Sequence, residues 1–186
     1  AVALTSVSSY AENVVSTASV TVQNALTLAE VSGLDLGTIR ASADPAGTLL
    51  ADITINSDGV TPPATSTTGA AAVIQSLVDG APAAYTVSGA ANFASLTVTL
   101  PPAGGIAVTN GAPAGAQFTI DDFEGTLTTA NDTTVALTNA GGGVVVTADA
   151  TGNLAFNVGA VLTTDATVTT GAYADSGYSG SYTVDV

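Results

Sequence analysis

The sequence predicts an all-β fold, and three observations lead to that prediction. Apolar and polar residues alternate in short runs, which is typical of half-buried antiparallel strands. Turn-forming residues separate the runs, and the chain contains 20 glycines and 7 prolines. Of its 186 residues, 46% are hydrophobic and only 9% are charged, so the chain is long enough and apolar enough to bury a core. We therefore expect a single antiparallel β-sandwich.

The alternating runs define the predicted strands in chain order. Within each run the apolar residues share one face, because side chains on a strand alternate with a period of two. These residues are Val20, Val22, Leu26 and Leu28, then Ala51, Ile53 and Ile55, then Leu96, Val98 and Leu100, then Phe118 and Ile120 leading towards Phe123, then Val135 and Leu137, then Val144, Val146 and Ala148, then Leu154, Phe156 and Val158, and last Tyr182, Val184 and Val186.

Two neighbouring runs predict a β-hairpin. Residues 144–148 and 154–158 alternate in the same way, and the turn-forming residues 150–153 lie between them. The last run places Tyr182, Val184 and Val186 on one face, and we expect the given chain to end inside this strand.

One segment departs from the alternation, and its spacing predicts a short helix. In residues 69–78, Ile74, Leu77 and Val78 recur at helical spacing, and Gly80 follows as a stop signal. No fixed repeat, heptad or long linker divides the chain. We therefore expect one sandwich domain over residues 17–186.

Residues 1–16 form a predicted extension in front of that domain. Apolar or small side chains occupy the even positions 2, 4, 6, 8, 10 and 14, and no turn signal folds it back onto the next strand. Such a strand is a candidate donor to another subunit. The candidate donor side chains are Val2, Leu4, Tyr10 and Val14. We interpret the first residues, AVALTS, as a mature end left after cleavage of a leader.

The side chains that the sequence lacks exclude most enzyme chemistry. The chain contains no His, Cys, Met, Trp or Lys, and Arg40 is its only cationic side chain. Without a His or Lys base, a serine or threonine nucleophile lacks its usual activation. We therefore expect a protein that is not an enzyme and that uses no cofactor. We interpret Arg40 as a local charge partner of Asp35 or Asp44.

The net charge of −14 bears on partners and location. Binding to nucleic acid requires several Lys or Arg side chains that release counterions, and anionic membranes attract basic segments. We therefore expect no nucleic-acid partner, and no apolar stretch is long enough for membrane insertion. Charged residues usually make up about a quarter of a domain, so the 9% in this chain favours a secreted protein, extracellular or at the cell surface.

The densest acidic cluster is a candidate cation site. Asp121, Asp122 and Glu124 supply the hard oxygen ligands that Ca²⁺ prefers. Strict alternation, however, puts Asp121 and Phe123 on one side of a strand and Asp122 and Glu124 on the other. We therefore favour a solvated strand end over a metal site.

Five pieces of the chain together resemble a known family. They are GLDLGTI at residues 33–39, Phe93 with LTVTLP at 96–101, FTIDDF at 118–123, GNLAFNVGAVL at 152–162 and GYSGSYTVDV at 177–186. In this order they are similar to the bacterial secreted domain-of-unknown-function family 4402. The last piece also resembles the final strand of chaperone-usher pilus subunits.

The resemblance implies a fold, a function and partners. It implies an immunoglobulin-like sandwich that is completed by donor-strand exchange with the N-terminal extension of the next subunit. The implied partners are copies of the chain itself, with a periplasmic chaperone and an outer-membrane usher during assembly. The residues implied for the acceptor or core strands are Val20, Val22, Tyr182, Val184 and Val186.

Two alternatives to a pilus-like structural subunit stay open at this point. One is a monomeric cell-surface binding or adhesin module that recognises a glycan or a host protein through its loops. The other is a hydrolase that uses a pair of carboxylates, since 15 acidic residues offer such pairs by chance. A filament subunit predicts polymers, whereas a binding module predicts a discrete monomer.

Overall fold

The structure is a computed structural model that describes residues 13–20, 25–112, 115–139, 141–165 and 172–186. Its regular elements in these ranges are strands. The described residues contain no helix that is long and apolar enough to cross a membrane. The strands are β1 (Thr27–Ser32), β2 (Thr38–Ser42), β3 (Ala51–Ile55), β4 (Ala64–Thr67), β5 (Val73–Val78), β6 (Ala83–Ser88), β7 (Ser95–Val98), β8 (Ile106–Val108), β9 (Phe118–Thr129), β10 (Ala136–Thr138), β11 (Val144–Thr147) and β12 (Leu154–Thr163).

The main sheet is built around the two long strands β9 and β12, which pair antiparallel along most of their length. On its other edge β12 pairs first with β6 and then with β3, and these lead to the outer strands β1 and β4. On its other edge β9 pairs with β8 and with β10. All the pairings are antiparallel.

Two smaller sheets, β2–β5 and β7–β11, form the second layer. Side chains of β5, β7 and β11, among them Ile74, Val98 and Val146, belong to the same hydrophobic core as those of the main sheet. Burial alternates along β3, where Ala51, Ile53 and Ile55 are all buried. The predicted all-β, immunoglobulin-like sandwich is thereby confirmed.

A β-bulge interrupts β9 and corrects the predicted alternation of its acidic cluster. In the pairing with β12, Glu124 lies opposite Gly159 and Asp121 lies opposite Val161, so Asp122 and Phe123 together face one residue. Asp122 has a φ of 50°, a conformation that Asp tolerates better than most residues. The extra residue turns Phe123 into the core, away from the face that strict alternation gave it.

The predicted helix over residues 69–78 is wrong, because this segment contains β5. Ile74 is buried, whereas Leu77 and Val78 remain 60% and 61% exposed. The strand pairs with β2 from Thr38 opposite Val78 to Ser42 opposite Val73. A short apolar segment is compatible with a helix or a strand, and here the long-range partner strand decides between them.

The predicted hairpin is also wrong, although its turn exists. The Asp149 carboxylate accepts hydrogen bonds from the N–H groups of Thr151 and Asn153. The flanking strands then diverge: β11 pairs with β7 in a small sheet, while β12 joins the main sheet. Both strands do turn their apolar faces to the core, as the alternation indicated.

The two ends of the chain differ from the predicted strands. Val20 lies outside any strand and is 87% exposed, so it does not belong to the core strand that the sequence predicted, and the first described strand begins at Thr27. Val22 lies outside the described residues. At the other end, residues 181–186 are extended but joined to the rest of the chain by one bridge, between Asp185 and Thr99, so they do not form the expected strand.

Candidate functional site

A cleft of about 340 Å³ lies between β2 and residues 173–178. We call it the β2 cleft. Its walls are residues 36–39 and Ala41 on one side and residues 173–178 on the other. Its floor is apolar and comes from both halves of the main sheet, through Val108, Phe118 and Leu162.

The β2 cleft exists because two extended segments separate after a single bridge. One edge of β2 is paired with β5, and the other edge is joined antiparallel to Ala172 at Ser42. The chain then leaves β2, and its next bridge joins Ser179 to Thr109, which follows β8. Within the described ranges, residues 38–41 and 173–178 therefore face each other without a hydrogen-bonded ladder. Unpaired strand edges of this kind are templates for a further strand.

Three aromatic rings form one end of the β2 cleft. The rings of Phe118 and Tyr173 are stacked, with centroids 4.0 Å apart and planes 9° from parallel. Tyr178 packs edge-on against both, at 5.1 Å from Phe118 and 6.0 Å from Tyr173. The sequence indicated only loop packing for Tyr173 and Tyr178, because nothing in the spacing of a loop shows which ring of a distant strand it meets.

Hydrogen bonds hold the two tyrosines of this cluster in place. The Tyr173 hydroxyl accepts the N–H of Asp165 at 2.7 Å and donates to the Gln117 carbonyl at 3.2 Å. The Tyr178 hydroxyl accepts the N–H of Ala174 at 2.9 Å. Burial raises the pKa of Tyr173 to about 12, so its hydroxyl stays neutral and can keep donating at ordinary pH.

The final segment, residues 179–186, packs against the hydrophobic core through alternate side chains. Tyr182, Val184 and Val186 are half-buried, whereas the residues between them are exposed, as the alternation predicted. The Tyr85 hydroxyl donates to that of Tyr182 at 3.2 Å, and the Tyr182 ring lies 5.0 Å from that of Phe123. Burial raises the pKa of Tyr182 well above its usual range.

These tyrosines predict an alkaline loss of stability. Because burial raises the pKa values of Tyr173 and Tyr182 in the folded chain, the unfolded chain ionises first, near pH 10. Their contribution is fully present below pH 10 and is lost as the pH rises from there towards about 12. The chain has no His, Cys or Lys side chain to titrate at a pH between the carboxylates and the tyrosines. We therefore expect the melting temperature to stay constant from about pH 6 to 9.5 and to fall steeply above about pH 10.

Thermal unfolding followed by circular dichroism measures this profile. Between pH 9 and pH 11.5, the melting temperature of the double variant Tyr173→Phe and Tyr182→Phe should fall by fewer degrees than that of the unchanged protein. Equal losses in the two proteins would show that these hydroxyls do not cause the alkaline transition.

The structure describes some of the predicted donor and acceptor residues, and others lie outside the described residues. Val14, one of the predicted donor side chains, is described, and it is 85% exposed and outside any strand. Its neighbour Val15 is 92% exposed. The other predicted donor residues, Val2, Leu4 and Tyr10, lie outside the described residues, as does Val22. Of the predicted acceptor residues, Tyr182, Val184 and Val186 pack against the hydrophobic core and do not line the β2 cleft.

The acidic cluster of β9 does not gather around a common point. Asp121 accepts the N–H groups of Gly104 at 3.1 Å and of Asp122 at 2.8 Å. Asp122 and Glu124 are exposed. Among the residues that the structure describes, no three acidic, His or Cys side chains are grouped so that they could hold a metal ion.

Arg40 does not pair with the carboxylates that the sequence indicated. Asp35 accepts the N–H of Gly37, and buried Asp44 accepts those of Ala46, Thr48 and Leu49. These bonds, first that of Ala46, hold the pKa of Asp44 below its usual value. The expected ion pair is therefore wrong: Arg40 is exposed on β2 and makes no ion pair with any carboxylate in the described ranges.

Fold and cleft together define a class: an antiparallel, immunoglobulin-like sandwich with an open groove between two segments of its second layer. Comparison of the chain with protein-family models, with curated proteins and with solved structures finds no match.

Proposed function

We propose that this protein is a structural, non-catalytic subunit of an extracellular bacterial filament. In this proposal residues 1–16 of one copy lie in the β2 cleft of the next copy and complete its second layer. The partners are copies of the same chain, with a periplasmic chaperone and an outer-membrane usher during assembly. The proposal follows the resemblance to the secreted family 4402 and to pilus subunits.

One observation carries the proposal: the β2 cleft combines an apolar floor with two backbone edges that have no ladder partner among the described residues. A strand added there gains main-chain hydrogen bonds on both sides and buries alternate side chains. Each buried Val, Leu or Tyr contributes roughly 1.5–3 kcal/mol before the cost of ordering the strand. Burial of such side chains would support a head-to-tail contact, and contacts that do not close into a ring generate filaments.

The described part of the extension supports the same proposal. Residues 13–16 are all exposed, and Val14 and Val15 are 85% and 92% exposed. Apolar side chains that protrude in this way gain free energy when a partner covers them.

Deletion of residues 1–16 tests the proposal. We expect the full chain to form fibres in electron micrographs and a ladder of species in light scattering, and the truncated chain to stay monomeric. A matched control keeps the length of the extension and replaces Val2, Leu4, Tyr10 and Val14 with serine; it should also stay monomeric. A synthetic peptide of residues 1–16 should bind the truncated chain. Undiminished polymerisation of the truncated chain would contradict the proposal.

The monomeric binding module is the second candidate, and the aromatic wall of the β2 cleft favours it, since rings can hold a ligand as well as a strand. It predicts that the full chain is a monomer whose cleft binds a glycan or a host protein. The same light-scattering measurement therefore decides between the two candidates.

A further inference from the structure

The final segment, residues 179–186, links the two small sheets of the second layer. Ser179 is bridged to Thr109, which follows β8, and Asp185 is bridged to Thr99, which directly follows β7. The chain in front of the segment is bridged to β2, as described above. The segment therefore spans the gap between the β2–β5 sheet and the β7–β11 sheet and occupies the position of a strand there.

Backbone hydrogen bonds hold the final segment near its two ends. Each bridge consists of two N–H···O=C bonds, with N···O distances of 2.9–3.1 Å. Among the described residues, residues 180–184 belong to no ladder between these bridges. β12 differs, because it pairs with β9 on one edge and with β6 and β3 on the other. Segments with few backbone hydrogen bonds open at a lower free-energy cost than such central strands, so we expect the final segment to open while β9 and β12 stay paired.

Alternate side chains, and not a ladder, fit the final segment to the core. Tyr182, Val184 and Val186 are half-buried against it, and the residues between them are exposed. The ring of Tyr182 lies 5.0 Å from that of Phe123, and its hydroxyl accepts a hydrogen bond from Tyr85. We call the surface under these three side chains the segment groove. Its contacts recognise a pattern of side chains, whichever copy of the chain supplies them.

Two glycines divide the part that fits from the part that connects. A Cβ on Gly180 would lie 2.8 Å from the Ala107 carbonyl oxygen, so glycine lets the final segment approach β8 closely. Residues 174–177 in front of it are all exposed, and a Cβ on Gly177 would meet no described atom within 4 Å. Exposed residues without close neighbours can change their backbone direction without disturbing the core, as hinges do.

We propose that the final segment is exchanged between copies: residues 179–186 of one copy fill the segment groove of a second copy, with Tyr182 as the anchor. The occupant is a second copy because the contacts that it makes are those that the segment already makes in its own chain. Such a swap needs no new interface outside the hinge, and identical elements exchange at low cost for that reason. The exchange goes beyond the proposed function, because it does not use residues 1–16.

Disulfide formation between two single variants of the full chain tests the exchange. The chain contains no cysteine, so an introduced pair gives an unambiguous signal. Thr99 and Asp185 exchange both hydrogen bonds across their bridge, and such a pair has its Cα atoms about 5.5 Å apart, within the range that a disulfide spans. When Thr99→Cys and Asp185→Cys are mixed below the melting temperature, we expect a disulfide-linked pair that contains one copy of each, identified by mass.

A neighbouring position on β7 supplies the matched control. Thr97 is exposed and lies opposite Val145, so Thr97→Cys meets Asp185→Cys only by collision. The Thr99→Cys mixture should cross-link about tenfold faster than the Thr97→Cys mixture, because only the former pair is held together. Equal rates would overturn the exchange. Thr99→Cys and Asp185→Cys in one chain should close a disulfide within that chain, and failure to close would overturn the bridge on which the proposal rests.

Repetition with copies that lack residues 1–16 separates the exchange from the proposed function. The exchange predicts the same rate of cross-linking with and without these residues. If the disulfide forms only when they are present, it reports neighbours in a filament, and the exchange is wrong while the donor strand stands. If cross-linking persists but the truncation leaves polymerisation undiminished, the exchange stands and the proposed function is wrong.

Discussion

Substitution of Gly159 by alanine is expected to destabilise the fold by roughly 3 kcal/mol or more, a large part of the stability of an ordinary domain. Gly159 lies where β12 changes partner, after Val158 pairs with β6 and before Ala160 pairs with β3. A methyl group there would overlap the Ile55 carbonyl oxygen and lie 2.7 Å from the Ser57 nitrogen. Both atoms belong to the backbone of the neighbouring strand and turn, so β3 and β12 would have to separate.

Urea unfolding of Gly159→Ala measures this effect, and Gly115→Ala is its matched control. Among the described residues, a methyl group on Gly115 meets no atom closer than 3.9 Å, and the residue has no positive φ to lose. The control should change the free energy of unfolding by less than about 1 kcal/mol. If the two variants unfolded at the same urea concentration, the close approach of β12 to β3 would not be as described.

Truncation of Phe118 to alanine is expected to cost about 3–5 kcal/mol and to remove the floor of the β2 cleft. The ring is 4% exposed, stacks on Tyr173 and receives the edge of Tyr178. Its loss leaves a void under both tyrosines. We therefore also expect the peptide of residues 1–16 to bind more weakly to the chain that lacks residues 1–16 when that chain also carries Phe118→Ala.

The exposed ring of Phe93 supplies the control for this variant. Phe93 is 55% exposed, so Phe93→Ala should cost less than about 1 kcal/mol and leave peptide binding unchanged. Urea unfolding and a peptide titration followed by tyrosine fluorescence give the two readouts. Loss of stability without any change in peptide affinity would separate Phe118 from the binding site.

The alternation of the sequence predicted which face of a strand is buried more reliably than which strand lies beside it. Ile53, Val98 and Phe156 are buried as predicted, because a period of two relates neighbouring side chains to opposite faces whatever the partner is. The partner depends on residues far away in the chain. For that reason β11 joined β7 and not β12, although the turn between β11 and β12 formed.

Local signals failed where long-range pairing competed with them. The segment that contains Ile74 carries helical spacing, but β2 offers an edge to pair with, and the segment is a strand. At Asp122 a bulge shifts the pattern by one residue, which periodicity alone cannot anticipate. The sequence could not predict the β2 cleft for the same reason. Its floor comes from β8, β9 and β12, and its walls come from residues 36–39 and Ala41, at and before β2, and from residues 173–178.

The sequence by itself determined the all-β class, the inward faces of most strands, the absence of His, Cys and Lys chemistry, and an N-terminal segment rich in small and apolar residues. Those properties follow from residue type and short-range periodicity. Only the tertiary structure decided the strand order, the bulge in β9, the edge of β2 that lacks a ladder partner in the described ranges and the position of Arg40 on that strand. The physical reason is that strand pairing and packing are contacts between residues distant in the chain, and no local pattern encodes the partner.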